Sequence, residues 1–231
     1  MTERRRKGAG KAGAEARICD AVRTAILERR LAPGTKLQEI ALGEFFAVSR
    51  TIVRQALRTL AREGIVALRD RRVAVVARPS AADVAHVFAA RRAIEAAVVE
   101  HVVAKATRAE LAALRQLVRD EEAAYRRGDR AGGLKRSLGF HQRLSELCGN
   151  PVLDRYLTEL VLQTSLAVAL YEQPDRIHAH ADHLGLVDAI GKRDAKRAVR
   201  LMYEHLAQLE RDLDTAAAAS APSLSAIFGA A

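Results

Sequence analysis

At 231 residues, with 38 Lys and Arg against 28 Asp and Glu and a formal net charge of +10, the chain is long enough for two domains and basic enough to attract a polyanion. Its two cysteines, Cys19 and Cys148, match no disulfide framework or metal-binding Cys pair, and no run of about 18 apolar residues is free of charge, which excludes a disulfide-stapled scaffold and a membrane-spanning helix. The absence of tryptophan, an aromatic content of 4% and abundant Ala and Leu favour helices over sheets, and the expected setting is a reducing cytoplasm with no membrane partner.

The charge is divided unevenly: residues 1–80 hold 18 Lys and Arg against 8 Asp and Glu, and residues 81–231 hold 20 against 20. Residues 1–13 are basic, carry glycines, lack periodicity and precede no apolar signal-peptide core, so a disordered basic arm is predicted there. A helix follows from about Ala14 to Arg30, striped by Ile18, Val22, Ala25 and Ile26 and ended by Pro33-Gly34. A second helix is expected over about Gln38 to Phe46 and a third over Arg50 to Arg62. Ser49 is the predicted N-cap of the third helix, its hydroxyl taking a first-turn N–H, and Gly64 is its stop.

On that third helix Val53, Ala56, Leu57 and Leu60 share one face, while Arg50, Thr51, Arg54 and Arg58 share the other. Such a face is either a solvated basic surface or a reader of the major groove, where Arg forks onto guanine O6 and N7 and Thr meets a phosphate or a thymine methyl. Ile65–Leu68 and Val73–Val76, separated by Arg69-Asp70-Arg71-Arg72, form a predicted β-hairpin. Three helices and a hairpin in this order make a winged helix-turn-helix over residues 14–78. The tip arginines Arg71 and Arg72 are placed against the DNA backbone or the minor groove, with a solvated loop as the alternative.

Arg78-Pro79-Ser80 is a linker, and residues 79–215 are all helical by pattern, with helices at about 82–105, 108–127, 130–148, 151–172, 179–190 and 194–214. Ser80 with Asp83 and Thr107 with Glu110 form capping boxes; Gly128-Asp129, Gly149-Asn150-Pro151, Gln173-Pro174 and Gly191 mark turns and stops. Residues 216–231 are a predicted disordered tail. The fold class is mainly α: an N-terminal winged helix-turn-helix followed by a bundle of six helices.

Two sets of residues carry a family resemblance. Val48-Ser49-Arg50-Thr51-Ile52-Val53-Arg54-Gln55-Ala56-Leu57, followed by Leu60 and Glu63-Gly64-Ile65-Val66 and preceded by Leu31-Ala32-Pro33-Gly34-Thr35-Lys36-Leu37 with Glu39, resembles the recognition segment of the GntR superfamily of bacterial transcription regulators. Ala47 stands where that family has a turn glycine, Ile52 for its proline, Gln55 for its glutamate and Val73 for a wing glycine. Arg91-Arg92-Ala93-Ile94-Glu95, Phe140-His141, Gly149-Asn150, Asp182-His183, Ala189-Ile190 and His205-Leu206 resemble the signature of the FadR-like branch, whose FCD-type C-terminal domain is an antiparallel bundle that binds a small effector and dimerises.

The resemblance implies a homodimer that binds a double-stranded operator and answers to a small organic acid, most often as a repressor. It places His141, His183 and His205 at positions that bind a divalent metal in many relatives, Zn or Ni by ligand chemistry. Antiparallel helices bring His183 and His205 to similar depth on either side of the turn at Gly191–Arg193. The acidic or Asn ligand that relatives carry one turn before the Phe-His pair is Ser137 here. Arg91 matches an effector-pocket arginine, suited to a carboxylate, with a salt bridge to Glu95 as the alternative; Gln163, Thr164 and Ser165 are polar residues in an apolar helix, and Gln163 is the candidate taken for the pocket. Two other functions compete: an architectural DNA-binding protein with a ligand-free bundle, and a metal-dependent hydrolase, which lacks a general-base motif of the His-Glu-x-x-His kind.

Overall fold

A computed structural model describes the backbone of residues 2–69, 73–172 and 181–215, with side chains over 12–69, 73–172 and 183–215. These residues form two compact units that part between Arg78 and Pro79.

In the first unit α1 (Thr2–Leu27) leads through a loop into β1 (Lys36–Leu37), α2 (Glu39–Phe45), α3 (Arg50–Arg62), β2 (Val66–Arg69) and β3 (Val73–Val76). The helical backbone of α1 runs through the stretch expected to be an irregular arm. Arg, Lys and Ala are good helix formers and a helix already nucleated extends readily, which opposes the cost of about 1 kcal/mol that each of Gly8, Gly10 and Gly13 adds. The far end of α1 stops short of Arg30, where Arg29 turns to φ 57° and its N–H bonds the Ile26 carbonyl. The hairpin is antiparallel with Val66 opposite Val76 and Arg69 opposite Val73, and β1 adds on the far side of β3, giving the order β1-β3-β2. Two residues are too few to carry an alternation pattern, so β1 had no signature in the sequence.

Ile18, Val22 and Ile26 of α1, Leu42 of α2, Val53, Leu57 and Leu60 of α3 and Val75 and Val76 of β3 are buried together. Around them Arg23 of α1 clasps Glu63 with Nε and Nη2, and the Cys19 thiol points to the Ala56 carbonyl at 3.6 Å. Between α2 and α3, Gly43 lets the chain pass within 3.2 Å of where a Cβ would meet the Val48 carbonyl.

The second unit contains α4 (Ala81–Lys105), α5 (Arg108–Arg126), α6 (Arg130–Cys148), α7 (Pro151–Tyr171), α8 (Ala181–Gly191) and α9 (Ala195–Arg211). Both predicted capping boxes are formed, Ser80 with Asp83 and Thr107 with Glu110. Gly149 closes α6 at φ 69°, and Asn150 caps α7 with its side chain ahead of Pro151. α4 is the central helix and packs on α6, α7, α8 and α9, while α5 lies against α6 and α8. Residues 173–180 and the predicted tail at 216–231 lie outside the described residues, and no described helix is long and apolar enough to cross a membrane.

One residue of the turn between α2 and α3 is conformationally strained. Ala47 lies at φ 52°, in the left-handed region that disfavours a Cβ by about 1–2 kcal/mol. Ala47→Gly is expected to stabilise the winged-helix unit by about 1 kcal/mol, seen as a raised midpoint in urea denaturation with an unchanged slope.

Candidate functional site

Two surfaces carry chemistry, one in each unit. The first is the outer face of α3. Arg50, Thr51 and Arg58 are exposed and Arg54 is half-buried, opposite the buried face of Val53, Ala56, Leu57 and Leu60. Ser49 is the N-cap by backbone, extended at φ −69° and ψ 150°, but its side chain makes no capping hydrogen bond. The expected hydroxyl cap is replaced by the Ser49 carbonyl, which accepts from the N–H groups of Ile52 and Val53 at 3.0 and 3.2 Å. Ser49 thereby keeps its hydroxyl at the exposed start of α3.

Glu39, the first residue of α2, reaches this face. Arg54 Nε donates to both Glu39 carboxylate oxygens, at 2.8 and 2.9 Å, and Arg50 Nη2 donates to one of them at 3.3 Å. Hydrogen bonding to Arg54 holds the Glu39 carboxyl below its ordinary pKa. Arg71 and Arg72, the predicted wing contacts, lie outside the described residues; β2 ends at Arg69 and β3 resumes at Val73.

The second surface is internal. His141 from α6, His183 from α8 and His205 from α9 offer ring nitrogens within 4.8 Å of one another, and all three are buried. The His183 and His205 Nε2 atoms are 3.2 Å apart, and the rings of His141 and His205 stack with centroids 5.4 Å apart. Phe140 stacks on His183 at 4.3 Å and closes one side. The helical spacing of Ser137 and His141 puts both on one face of α6, and the two line a single cavity.

Two buried carboxylates fix the imidazoles. Glu95 of α4 accepts from His141 Nδ1 at 2.7 Å, and Glu121 of α5 accepts from His183 Nδ1 at 2.9 Å. Glu95 also accepts from Arg91 Nε at 2.6 Å, an i, i+4 pair in which both side chains are at most 1% exposed. With Nδ1 donating to a carboxylate, His141 and His183 turn Nε2 toward the cluster, where that of His183 meets His205, the orientation that carboxylate–histidine pairs impose around metals. Burial, reinforced by the Arg91 charge and opposed by Glu95, lowers His141 to about 4, so it is a neutral imidazole at neutral pH. Burial raises the Glu95 pKa, but His141 and Arg91 outweigh it and keep the carboxylate ionised.

A cavity of about 20 Å³, room for roughly one water, opens beside the cluster and is lined by Arg91, Ser137, His141, Thr164 and His205 together with Tyr125 and Glu172. Arg91 Nη2 is buried there and has no hydrogen-bond partner among the described residues. Arg91 thus pairs with Glu95 through Nε and also lines the cavity. Gln163 does not line the cavity; its neighbour Thr164 does, because one residue rotates a helix by about 100°. Gly133 allows Tyr125 to approach, since a Cβ there would stand 2.5 Å from the ring. In the sequence Glu95 stands in the Arg91–Glu95 signature and as a partner for Arg91, whereas Glu121 carries no motif. The signal for Glu121 is that, of the run Asp120-Glu121-Glu122, it alone falls in register with Leu111, Leu114 and Val118, the buried stripe of α5.

Comparison with known proteins gives the following. Residues 14–76 match the bacterial regulatory proteins of the gntR family and residues 86–208 match the FCD domain. The HTH-type transcriptional repressor NanR of Salmonella newport is 30% identical over 192 residues, covering 73% of this chain and 72% of that protein, and NanR of Salmonella arizonae matches to the same extent. Among solved structures, a putative transcriptional regulator GntR from Rhodococcus sp. RHA1 superposes with a TM-score of 0.74 at 23% identity, covering 85% of this chain and 95% of that one. E. coli McbR/YncC superposes with a TM-score of 0.74 at 18% identity, covering 86% and 97%, and these two likenesses bear on the fold. The similar proteins are regulators of transcription, not enzymes, and give no support to the hydrolase or the architectural alternative.

Removing the Glu95 charge leaves the buried Arg91 uncompensated. Glu95→Gln, which strands the Arg91 guanidinium, is expected to lower the unfolding free energy by about 3–5 kcal/mol, measured by urea denaturation in the presence of a chelator.

Proposed function

The chain belongs to the GntR family of bacterial transcription regulators and carries an FCD domain, and from that premise we propose how its two surfaces divide the work of a regulator. The protein is a DNA-binding transcription regulator under effector control. It acts on chromosomal DNA in the cytoplasm, in our reading as a homodimeric repressor on a pseudo-palindromic operator. α3 enters the major groove: Arg54 and Arg50 read bases, Ser49 and Thr51 meet the backbone at the helix start, and Arg58, Arg71 and Arg72 add phosphate contacts. Excess positive charge confined to residues 1–80 supports this, since it raises affinity for any duplex and leaves discrimination to the few side chains that reach base edges.

The effector is a small carboxylate held in the cavity of the helical domain. The observation that carries this reading is the convergence on one cavity of a buried guanidinium nitrogen without a partner, Arg91 Nη2, and two of the three clustered histidines, His141 and His205. An unpaired buried donor is costly, and an anionic oxygen is the group that satisfies it best. The donor set also fits a divalent cation, Zn or Ni: His141, His183 and His205 would hold it through ring nitrogens, the first two backed by Glu95 and Glu121, and it would supply a fixed positive centre for the effector oxygen. Ser137 offers no charge in the place where an acidic ligand would stand, which leaves that position to solvent or to the effector.

Two measurements test these assignments. Arg54→Ala is expected to lose the preference for selected over scrambled duplexes in a gel-shift competition, at a cost of about 1–3 kcal/mol, while melting as the wild type does. An unchanged preference removes Arg54 from base reading. For the second surface, elemental analysis of protein purified without added metal is expected to find an ion in the wild type and to lose it in His183→Ala, with affinity for DNA unchanged because the winged helix has its own core. Ser137→Asp is expected to tighten the ion and weaken a carboxylate effector that meets a like charge. A metal-free wild type leaves the histidines as lining of a polar pocket.

A further inference from the structure

We propose that Glu39, which contacts no base itself, determines specificity by holding Arg54 in the one orientation that reads DNA. The inference rests on the reading that α3 presents Arg54 to the major groove. Arg54 Nε is engaged by both oxygens of Glu39, at 2.8 and 2.9 Å, whereas its Nη1 and Nη2 make no hydrogen bond among the described residues. The guanidinium is planar, so anchoring it at Nε fixes the plane and leaves the far edge, with two parallel N–H groups, directed away from the carboxylate. That edge is the fork that matches guanine O6 and N7.

The anchor is itself rigid. Glu39 is the first residue of α2, its side chain only 16% exposed, and the acidic group suits the positive end of that helix. α2 is seated against α3 by buried Leu42 and Gly43, the latter within 3.9 Å of the Val53 side chain from the position of a Cβ. A long arginine side chain otherwise samples many rotamers, and ordering it at the moment of binding weakens a specific contact. Here the ordering is done beforehand by the partner helix. Stability does not account for the pair, because Arg54 is 42% exposed and ion pairs at such positions contribute little to folding.

The carboxylate has a second consequence. It shares its charge between Arg54 and Arg50, which it meets at 3.3 Å, and so removes positive charge from the face that meets phosphates. Non-specific binding, which scales with the phosphate charges neutralised, is weakened while the oriented fork retains its base contact. Specificity is a difference between two affinities, and Glu39 widens it from both sides.

The test uses the full chain and a pool of random-sequence duplexes, from which wild type, Glu39→Ala, Glu39→Gln, Arg54→Ala and the Glu39→Ala/Arg54→Ala double variant each select their preferred sites. Melting curves establish which variants fold. Expected is that Glu39→Ala keeps most of the selected sequence but loses about tenfold in discrimination at the base pair whose preference Arg54→Ala abolishes, and binds scrambled duplex more tightly with a steeper salt dependence. Glu39→Gln, which keeps an acceptor without the charge, changes in the same direction by less and decides the matter if the alanine variant does not fold. In the Arg54→Ala background the Glu39 substitution changes discrimination no further. A Glu39 variant that selects the wild-type base at that position overturns the proposal, as does an equal loss at every position or a further loss in the double variant. If Arg54→Ala itself selects the wild-type site, the assignment of Arg54 to base reading fails first, and the role of Glu39 with it.

Discussion

The helical domain depends on one buried carboxylate. Glu95 lies at 0% exposure in the interior of the bundle, where an isolated charge is untenable, and is tolerated only because Arg91 and His141 both direct hydrogens at it. Each of those contacts sets something else. Arg91 shares α4 with Glu95, so the pair fixes which face of the central helix points at the cavity. His141 comes from α6, so its bond to Glu95 sets the rotation of α6 on α4 and the direction of the ring. Glu121 does the same between α5 and His183 of α8. Hydrophobic contact holds these helices together, but area has no direction, and the polar bonds provide the unique register.

The winged-helix unit solves the reverse problem. Its interior is apolar and its charges lie outside, so cationic groups are abundant and must be organised rather than paid for by burial. Acidic residues placed at element ends do this: Glu63, the C-cap of α3, takes the Arg23 side chain of α1, and Glu39, at the start of α2, takes Arg54 and Arg50. Glu28 and Asp20 stay in local pairs on α1 and the loop after it, leaving the outer face of α3 dominated by Arg and Thr.

Periodicity and punctuation made most of this architecture legible. The limits of α3, Arg50 to Arg62, follow from Ser49 and Gly64, and the helices of the bundle follow from Ser80-Asp83, Thr107-Glu110 and Gly149-Asn150-Pro151. The histidine cluster was legible through resemblance, since no local pattern joins residues 141, 183 and 205. What escaped was whatever depends on partners across space. Glu121 reads as a stray polar residue in a buried stripe until α8 is packed against it, and Glu39 reads as a first-turn acid until α3 returns beside it. Gln163 and Thr164 are equivalent in composition, and only the rotation of α7 separates them.

The same rotation of α7 links the cavity to the boundary between the units from within the bundle. Thr164, Val168 and Glu172 follow one another at helical spacing along its cavity face, the last as the C-cap and bonded to Arg130 at the start of α6 at 2.8 Å. At the neighbouring position Tyr171 donates its hydroxyl to the Pro79 carbonyl at 2.8 Å, while its own carbonyl accepts from the Asp214 N–H at 2.9 Å. Pro79 is the first residue of the helical unit and precedes the Ser80 cap of α4, the helix that carries Arg91 and Glu95. A helix transmits displacement along its axis because its backbone bonds leave little slack. Arg91 and Thr164 on the cavity wall therefore belong to the two helices that meet at Pro79, α4 through its cap and α7 through Tyr171.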